Sequence, residues 1–185
     1  TDTQINKSIE RIWTLKEKAF RKTSLEQGLT DPSSLNRKIA EQSLTLQIGT
    51  ANEIEAFRKT NHCTITIKRY SNNQSEDEIL ASIEEMQNEV TDESDVLLLL
   101  TPPQIKPTNK FGFLQQEIDF VNQLIQTKKV VLYHFGNPYA LKFFNINKTT
   151  ATVIAYQNFK EFQDVATEHF LGTFEAKGKL PVSLT

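Results

Sequence analysis

The sequence predicts an α/β fold, a three-layer α/β/α sandwich around a mainly parallel sheet. Residues 96–100 and 130–135 are apolar at nearly every position, which is typical of strands that are covered on both faces. Segments with apolar residues at helical spacing separate such runs, and a parallel strand needs a crossover of this kind. With 185 residues, 38% of them hydrophobic, the chain suits one domain with a sizeable core plus a short extension.

The amino-terminal half contains predicted helix starts and one alternating strand. Ile5, Ile9 and Ile12 at helical spacing predict a first amphipathic helix. Three further signals follow: an Asp-Pro helix start, a reciprocal cap of a short helix and a strand of alternating Ile and Thr. They lie at Asp31-Pro32, at Asn52 with Glu55, and over residues 64–70.

The carboxyl-terminal half repeats the alternation of helix and strand. Ser75 and Glu78 form the pattern of a capping box, which predicts a helix that leads into the buried strand 96–100. A wide apolar face over residues 113–125 predicts the next helix, and residues 130–135 the next strand. Residues 151–156 then predict a strand, followed by a helix that ends at Gly172.

Composition excludes several classes of function. A formal net charge of −2 and the lack of any basic run longer than two residues argue against binding of nucleic acid. The longest apolar run, residues 96–100, is far too short to span a membrane. Cys63 is the only cysteine, so an internal disulfide and a thiolate metal cluster are both excluded. No glycine-rich phosphate loop is present, and we predict no cofactor and no metal site.

Two loops are candidates for function because each follows a predicted central strand. Residues 101–112 contain three prolines, and residues 136–139 read Gly-Asn-Pro-Tyr. Both should open at the same edge of a parallel sheet, where ligands of α/β proteins bind. We therefore predict that Lys106, Asn109, Asn137 and Tyr139 lie at a domain interface or contact a substrate, and we rank packing before substrate contact.

The histidines do not form an obvious catalytic pair. His134 is predicted to be a hydrogen-bonded histidine of the core or rim, since no acid lies near it in sequence. His62 and Cys63 are adjacent on a strand and point to opposite faces, which argues against a thiolate–imidazole dyad. His169 is predicted to be half-exposed and structural. We therefore assign no catalytic residue to the chain.

Several short motifs together resemble the carboxyl-terminal domain of glycoside hydrolase family 3. The motifs F-G-N-P-Y-A-L-K at residues 135–142 and G-K-L-P-V at 178–182 are similar to those of the β-N-acetylhexosaminidase-like branch. Residues 36–46 resemble the helix and strand that open this domain. Residues 8–16 look like the closing helix of the TIM-barrel domain that precedes it, followed by an interdomain segment at 27–32.

The resemblance implies that the chain divides into two parts and that a segment present in the family is missing from it. Residues 1–30 would be a remnant helix of an upstream barrel with its linker, and residues 31–185 the α/β/α domain. In the family, a turn and a further strand come between the opening strand and a glycine turn, whereas here Leu46 runs directly into Gln47-Ile48-Gly49. We therefore predict a missing segment between residues 46 and 47, because losing a strand from an open sheet exposes its neighbours.

The resemblance also implies an accessory role in hydrolysis of O-glycosyl bonds. Retaining hydrolysis needs two carboxyl groups about 5 Å apart. In the family, a barrel Asp is the nucleophile and the acid differs by branch, and no Glu of this chain matches that acid. The chain alone should be inactive, with its own upstream barrel and a carbohydrate as partners. The parent would be a β-N-acetylhexosaminidase or a β-glucosidase. The sequence leaves the compartment of the parent open, and a periplasmic or secreted location is compatible with it.

A stand-alone binding or signalling module is the alternative, because flavodoxin-like and receiver-like proteins share the layered architecture. Against a receiver, Asp95 precedes its predicted strand, and no acidic pair ends the first strand. Against a flavodoxin, the first turn lacks a Ser/Thr-rich phosphate loop.

Overall fold

The chain divides into two compact units, Thr1–Pro32 and Ser33–Thr185. The computed structural model describes residues 2–20, 31–69 and 74–183. In chain order, its helices and strands are α1 (Asp2–Phe20), α2 (Ser33–Ser43), β1 (Thr45–Ile48), α3 (Ala51–Arg58), β2 (His62–Ile67), α4 (Glu76–Glu89), β3 (Asp95–Leu100), α5 (Gln115–Thr127), β4 (Val130–His134), β5 (Ala151–Ile154) and α6 (Lys160–Leu171).

The described residues 2–20 of the first unit form helix α1, as the spacing of its isoleucines predicts. Its apolar side chains are exposed, among them Ile5, Ile12 and Trp13. The origin of α1 in an upstream barrel stays a prediction, and most of the segment predicted to link the domains lies outside the described residues. None of the described helices is long and apolar enough to cross a membrane.

The second unit is built around a five-stranded sheet in the order β1-β5-β4-β3-β2. Strands β2, β3, β4 and β5 are parallel, and β1 pairs with β5 in antiparallel orientation, so the predicted mainly parallel sheet is confirmed. Strand β1 passes through Leu46 and Gln47 with a shift of register between Leu46 and Ile48. The predicted missing segment at this junction stays a prediction.

Helices cover both faces of the sheet, which confirms the three-layer sandwich. One core cluster joins the sheet to α4 and α5, through side chains such as Ile79 and Val121. The other joins the opposite face to α2, α3 and α6, through Ala40, Phe57 and Val165 among others. Both clusters exclude water from apolar side chains, the dominant favourable contribution to folding.

Local sequence signals fix most element boundaries. The predicted capping box of α4 is present, since the Ser75 backbone N–H donates to the Glu78 carboxylate and Ser75 Oγ accepts from the Glu78 N–H. Gly172 ends α6 in a left-handed conformation, as predicted. The predicted cap of α3 by Asn52 is wrong: Thr50 accepts from the Glu53 N–H instead, two residues earlier.

The crossover from β4 to β5 differs from the others. Short 3₁₀ helices, Pro138–Phe143 and Ile146–Lys148, replace the α-helix that links the other parallel strands. Asn137 caps the first of them, because its Oδ1 accepts from the Tyr139 N–H at 3.1 Å. Proline at the first helical position suits this start, since its missing N–H needs no partner there.

The carboxyl-terminal segment closes over the beginning of β1. The Gly178 N–H donates to the Leu44 carbonyl at 2.9 Å, and Leu180 packs against the core. A Cβ atom on residue 178 would lie 2.1 Å from the Ser43 carbonyl oxygen. Only glycine therefore allows this close approach of two backbones.

We expect Gly178→Ala to lower the free energy of unfolding by about 1–3 kcal/mol, because the added methyl forces the two backbones apart. Urea unfolding followed by circular dichroism measures the change. Lys179→Ala is the matched control, because Lys179 is exposed and one residue away. Equal stability of the two variants would contradict the close contact.

Candidate functional site

The loops that follow β3, β4 and β5 meet at one edge of the sheet and enclose a cleft of about 550 Å³. Because the three strands are parallel, their carboxyl ends share this edge, as predicted for the first two loops. We call this site the edge cleft. Its lining comprises Thr101, Pro102, Gln104, Ile105, Phe135, Gly136, Asn137, Pro138, Tyr156, Gln157, Asn158 and Phe159.

The lining of the edge cleft is uncharged and combines amide side chains with apolar ones. Amide side chains come from Gln104, Asn137, Gln157 and Asn158, and Phe159 presents an aromatic ring that is 55% exposed. Amides both donate and accept hydrogen bonds without carrying charge. Because none of these described residues is Asp, Glu, His, Lys or Arg, the lining supplies neither an acid–base pair nor a carboxylate ligand for a metal.

Asn137 is held in place by its own backbone and side chain. Its carbonyl accepts hydrogen bonds from the Ala140 N–H at 3.0 Å and from His134 Nε2 at 2.9 Å. Because Oδ1 accepts from the Tyr139 N–H, the Nδ2 group is the part of this amide that these bonds do not use. Three hydrogen bonds therefore hold Asn137 where the loop reaches the cleft.

His134 supports the loop from inside the core. It is fully buried at the end of β4, and burial lowers its pKa to about 4, so the ring is neutral at pH 7. Nε2 donates to Asn137, and Nδ1 has no partner among the described residues. This confirms the prediction of a structural histidine.

The other three residues predicted for this site lie outside the lining of the edge cleft. Tyr139 is 45% exposed, and Lys106 and Asn109 are exposed on the loop after β3. The structure brings Asn137 to the cleft and does not bring these three there. A contact of any of the four with a substrate or with another domain stays a prediction.

A tight left-handed turn shapes the loop after β3. Asn109, Lys110 and Phe111 have φ angles of 50°, 52° and 56°, which is uncommon for residues other than glycine. Fully buried Phe111 anchors the turn, and its carbonyl accepts from the Gln104 N–H at 2.8 Å. Such backbone conformations persist only where surrounding contacts hold them.

A buried ion pair holds the base of the same loop. Arg69 binds Glu117 through two hydrogen bonds of 2.5 and 2.7 Å, and the Glu117 side chain is only 3% exposed. The Glu117 carboxylate also accepts from the Leu114 N–H at 2.8 Å, which caps α5. Sequence reasoning missed this pair, because a carboxylate in the first turn of a helix points to a cap and not to Arg69.

The residues after β5 were also missed by sequence reasoning. Tyr156, Gln157 and Asn158 line the cleft although no motif marked them. The rule that selected the loops after β3 and β4 applies equally to the loop after a third parallel strand, and would have found them. Tyr156 has a φ of 64°, and its hydroxyl lies 3.0 Å from Thr45 Oγ1, which links this loop to β1.

The remaining histidines and Cys63 pack in or against the two core clusters. His169 was predicted to be half-exposed, which is wrong: it is buried, and its Nδ1 shares a hydrogen bond of 2.8 Å with the Tyr133 hydroxyl. Burial lowers the pKa of His169 and raises that of Tyr133. His62 packs against Phe57, whereas Cys63 packs in the opposite core cluster. The described residues contain no cluster of His, Cys, Asp and Glu fit to hold a metal.

Comparison with solved structures identifies the fold. A family 3 β-N-acetylglucosaminidase from Paenibacillus sp. str. FPU-7 matches 100% of this chain with a TM-score of 0.65 and 16% identity. The chain has the fold of part of a family 3 glycoside hydrolase. The β-glucoside phosphorylase BglX bound to 2FGlc matches 80% of the chain, with a TM-score of 0.56 and 16% identity.

The matches cover only part of the larger proteins. The chain spans 40% of the β-N-acetylglucosaminidase and 31% of the phosphorylase. A scan against models of protein families finds no match, and neither does a search of curated proteins. The shared fold therefore rests on the three-dimensional arrangement of helices and strands.

Proposed function

We propose that this chain is an accessory α/β domain of a family 3 glycoside hydrolase, of the β-N-acetylhexosaminidase or β-glucosidase type. It packs against an upstream barrel domain, and its edge cleft lines the sugar-binding site of that barrel. The nucleophile and the acid come from the barrel, and this domain contributes shape and hydrogen bonds. The parent acts on O-glycosyl bonds in carbohydrate metabolism.

The uncharged, amide-rich edge cleft is the observation that carries this proposal. Sugar hydroxyl groups need neutral donors and acceptors, which Gln104, Asn137 and Asn158 supply. The apolar face of a pyranose ring suits an aromatic side chain such as Phe159, which borders the cleft and is exposed. A cleft without carboxylates fits a role in binding and not in bond cleavage.

The strand order disfavours the alternative of a stand-alone flavodoxin-like or receiver-like module. Those folds place their ligand where the strand order reverses, as in the order 2-1-3-4-5. Here the parallel strands run consecutively from β2 to β5, so no reversal point lies among them. The described part of the sheet thus lacks the reversal point at which such a module binds its ligand.

We expect the chain to bind N-acetylglucosamine or glucose weakly and to leave their aryl β-glycosides intact. Binding is followed by changes of amide chemical shifts at millimolar sugar, and hydrolysis by release of the aryl group at high protein concentration. Asn137→Ala and Phe159→Ala should each weaken binding about threefold to tenfold, since each removes one contact of about 1 kcal/mol.

Gln126→Ala is the matched control, because Gln126 is an exposed amide on α5 outside the edge cleft. Turnover that survives repurification would contradict the accessory role. If sugar changes the amide chemical shifts of other residues but not those of the loops after β3, β4 and β5, sugar contact at the edge cleft is contradicted. The attachment to a barrel domain is tested separately by the natural open reading frame, which must encode a barrel upstream of this chain.

A further inference from the structure

We propose that the outer edge of β2 pairs with β2 of a second copy of this chain, in antiparallel orientation about a two-fold axis at Thr64. The two sheets then join into one continuous sheet. This inference rests on the geometry of the edge alone and does not depend on the proposed function.

The hydrogen bonds of β2 show which of its residues face outward. The Asp95 N–H donates to the Asn61 carbonyl, and the Thr101 N–H donates to the Ile67 carbonyl. Backbone groups alternate between the two sides of a strand, so Asn61, Ile67 and every second residue between them face β3. The N–H and C=O groups of His62, Thr64 and Thr66 therefore point away from the sheet.

The outward groups have no partner within the described part of the chain. No backbone hydrogen bond from another described residue reaches His62, Thr64 or Thr66 on this side. The strand also lacks the usual protection of an edge, since the six residues His62–Ile67 include no proline and no Lys, Asp or Glu. Four of the six are β-branched, which favours extended pairing.

The opposite edge of the sheet is different. Strand β1 has only four residues and a shift of register, and the carboxyl-terminal segment bonds to the residue before it through Gly178 and Leu44. Short, irregular and covered strands are the means by which proteins block edges. Only one edge of this sheet is therefore long, regular and open in the described chain.

The register of β2 is complementary to itself, which favours a second copy over an unrelated partner. A two-fold axis at Thr64 places Thr64 opposite Thr64 of the partner subunit, and His62 opposite Thr66 of the partner subunit. All three outward residues then exchange hydrogen bonds, and the central contact is a favourable Thr–Thr pair. No charged side chain of the strand faces a like charge in this register.

The first experiment measures the dimerisation of the 185-residue chain by sedimentation equilibrium. We expect a dimer, and Thr64→Pro should raise its dissociation constant at least about tenfold, because both central N–H groups are lost. Proline is tolerated at this position, since the Thr64 N–H does not bond to β3. Thr64→Ala keeps the N–H and is the control, and circular dichroism verifies that both variants fold.

The second experiment tests the register by cross-linking in a Cys63→Ala background. Thr64→Cys should form a covalent dimer on oxidation, since directly opposed residues bring their Cα atoms within the span of a disulfide. Thr66→Cys is the control, because in this register residue 66 lies opposite residue 62 and far from its own copy.

Loss of the dimer with Thr64→Pro but not with Thr64→Ala, together with selective cross-linking at residue 64, supports the proposal. A chain that stays monomeric at all concentrations overturns the proposal. The same holds if the monomer binds an extended peptide at this edge, because the partner is then not a second copy. Equal cross-linking at residues 64 and 66 overturns it as well. If Thr64→Pro does not fold, the cross-linking pair decides alone.

Discussion

Replacing Glu117 with alanine is expected to lower the free energy of unfolding by about 3–5 kcal/mol, because it leaves the Arg69 guanidinium without its buried counter-charge. The Arg69 side chain is 15% exposed, so water only partly compensates for the loss. The substitution also removes the acceptor of the Leu114 N–H at the start of α5. Chemical unfolding followed by circular dichroism measures the change.

Glu55→Ala is the matched control for this prediction. The Glu55–Lys59 pair has a similar distance of 2.7 Å, but its side chains are 53% and 72% exposed. We expect little or no loss of stability there, because both charges of this surface pair stay in water. The double variant Arg69→Met/Glu117→Leu should recover most of the stability, since an apolar pair leaves no unpaired charge. Equal losses at Glu117 and Glu55 would refute the burial argument.

The stability of the protein should fall as the pH decreases from 6.5 to 4, with His134 as a main cause. Burial lowers the pKa of His134 to about 4 in the folded state, whereas an unfolded histidine titrates near 6.5. Between pH 4 and pH 6.5, His134 is protonated in the unfolded chain but neutral in the folded chain, so lowering the pH favours unfolding. The difference corresponds to about 3 kcal/mol, present in full above pH 6.5.

Urea unfolding at pH 7, 6, 5 and 4 measures this dependence, and His134→Gln separates His134 from other groups. The variant keeps an amide donor for the Asn137 carbonyl but does not titrate. We expect the variant to be less stable at pH 7 and to lose less stability on acidification. His169, whose pKa is also lowered by burial, accounts for part of the remaining slope. Parallel pH profiles would show that His134 does not contribute.

Sequence reasoning predicted the fold class because the fold depends on patterns that are local in the chain. Apolar runs such as residues 96–100 indicate strands buried on both faces, and the Ser75–Glu78 box fixes the start of α4. The rule for parallel strands then placed two loops at one edge. Asn137 followed from that rule together with the Gly-Asn-Pro turn that comes after β4.

The rest depends on contacts between residues far apart in the chain. Arg69 and Glu117 lie 48 residues apart, and nothing near either residue announces the other. His169 occupies a helix position that looks amphipathic, but Tyr133 on β4 covers it. The cap of α3 was misplaced because Thr50 and Asn52 both suit the role, and tertiary packing decides where the helix begins.

The pairing of β1 with β5 bears on how the sheet assembles. Strands β2 to β5 follow one another in the chain in the same order as in space, so each can be added to its predecessor. Strand β1 is the exception, since the contact of Thr45 with Tyr156 closes a loop of 111 residues. Closing so long a loop has a high entropic cost before any contact forms. Since β5 is the only strand that β1 pairs with in the described sheet, β1 can join the sheet only after β5 is in place.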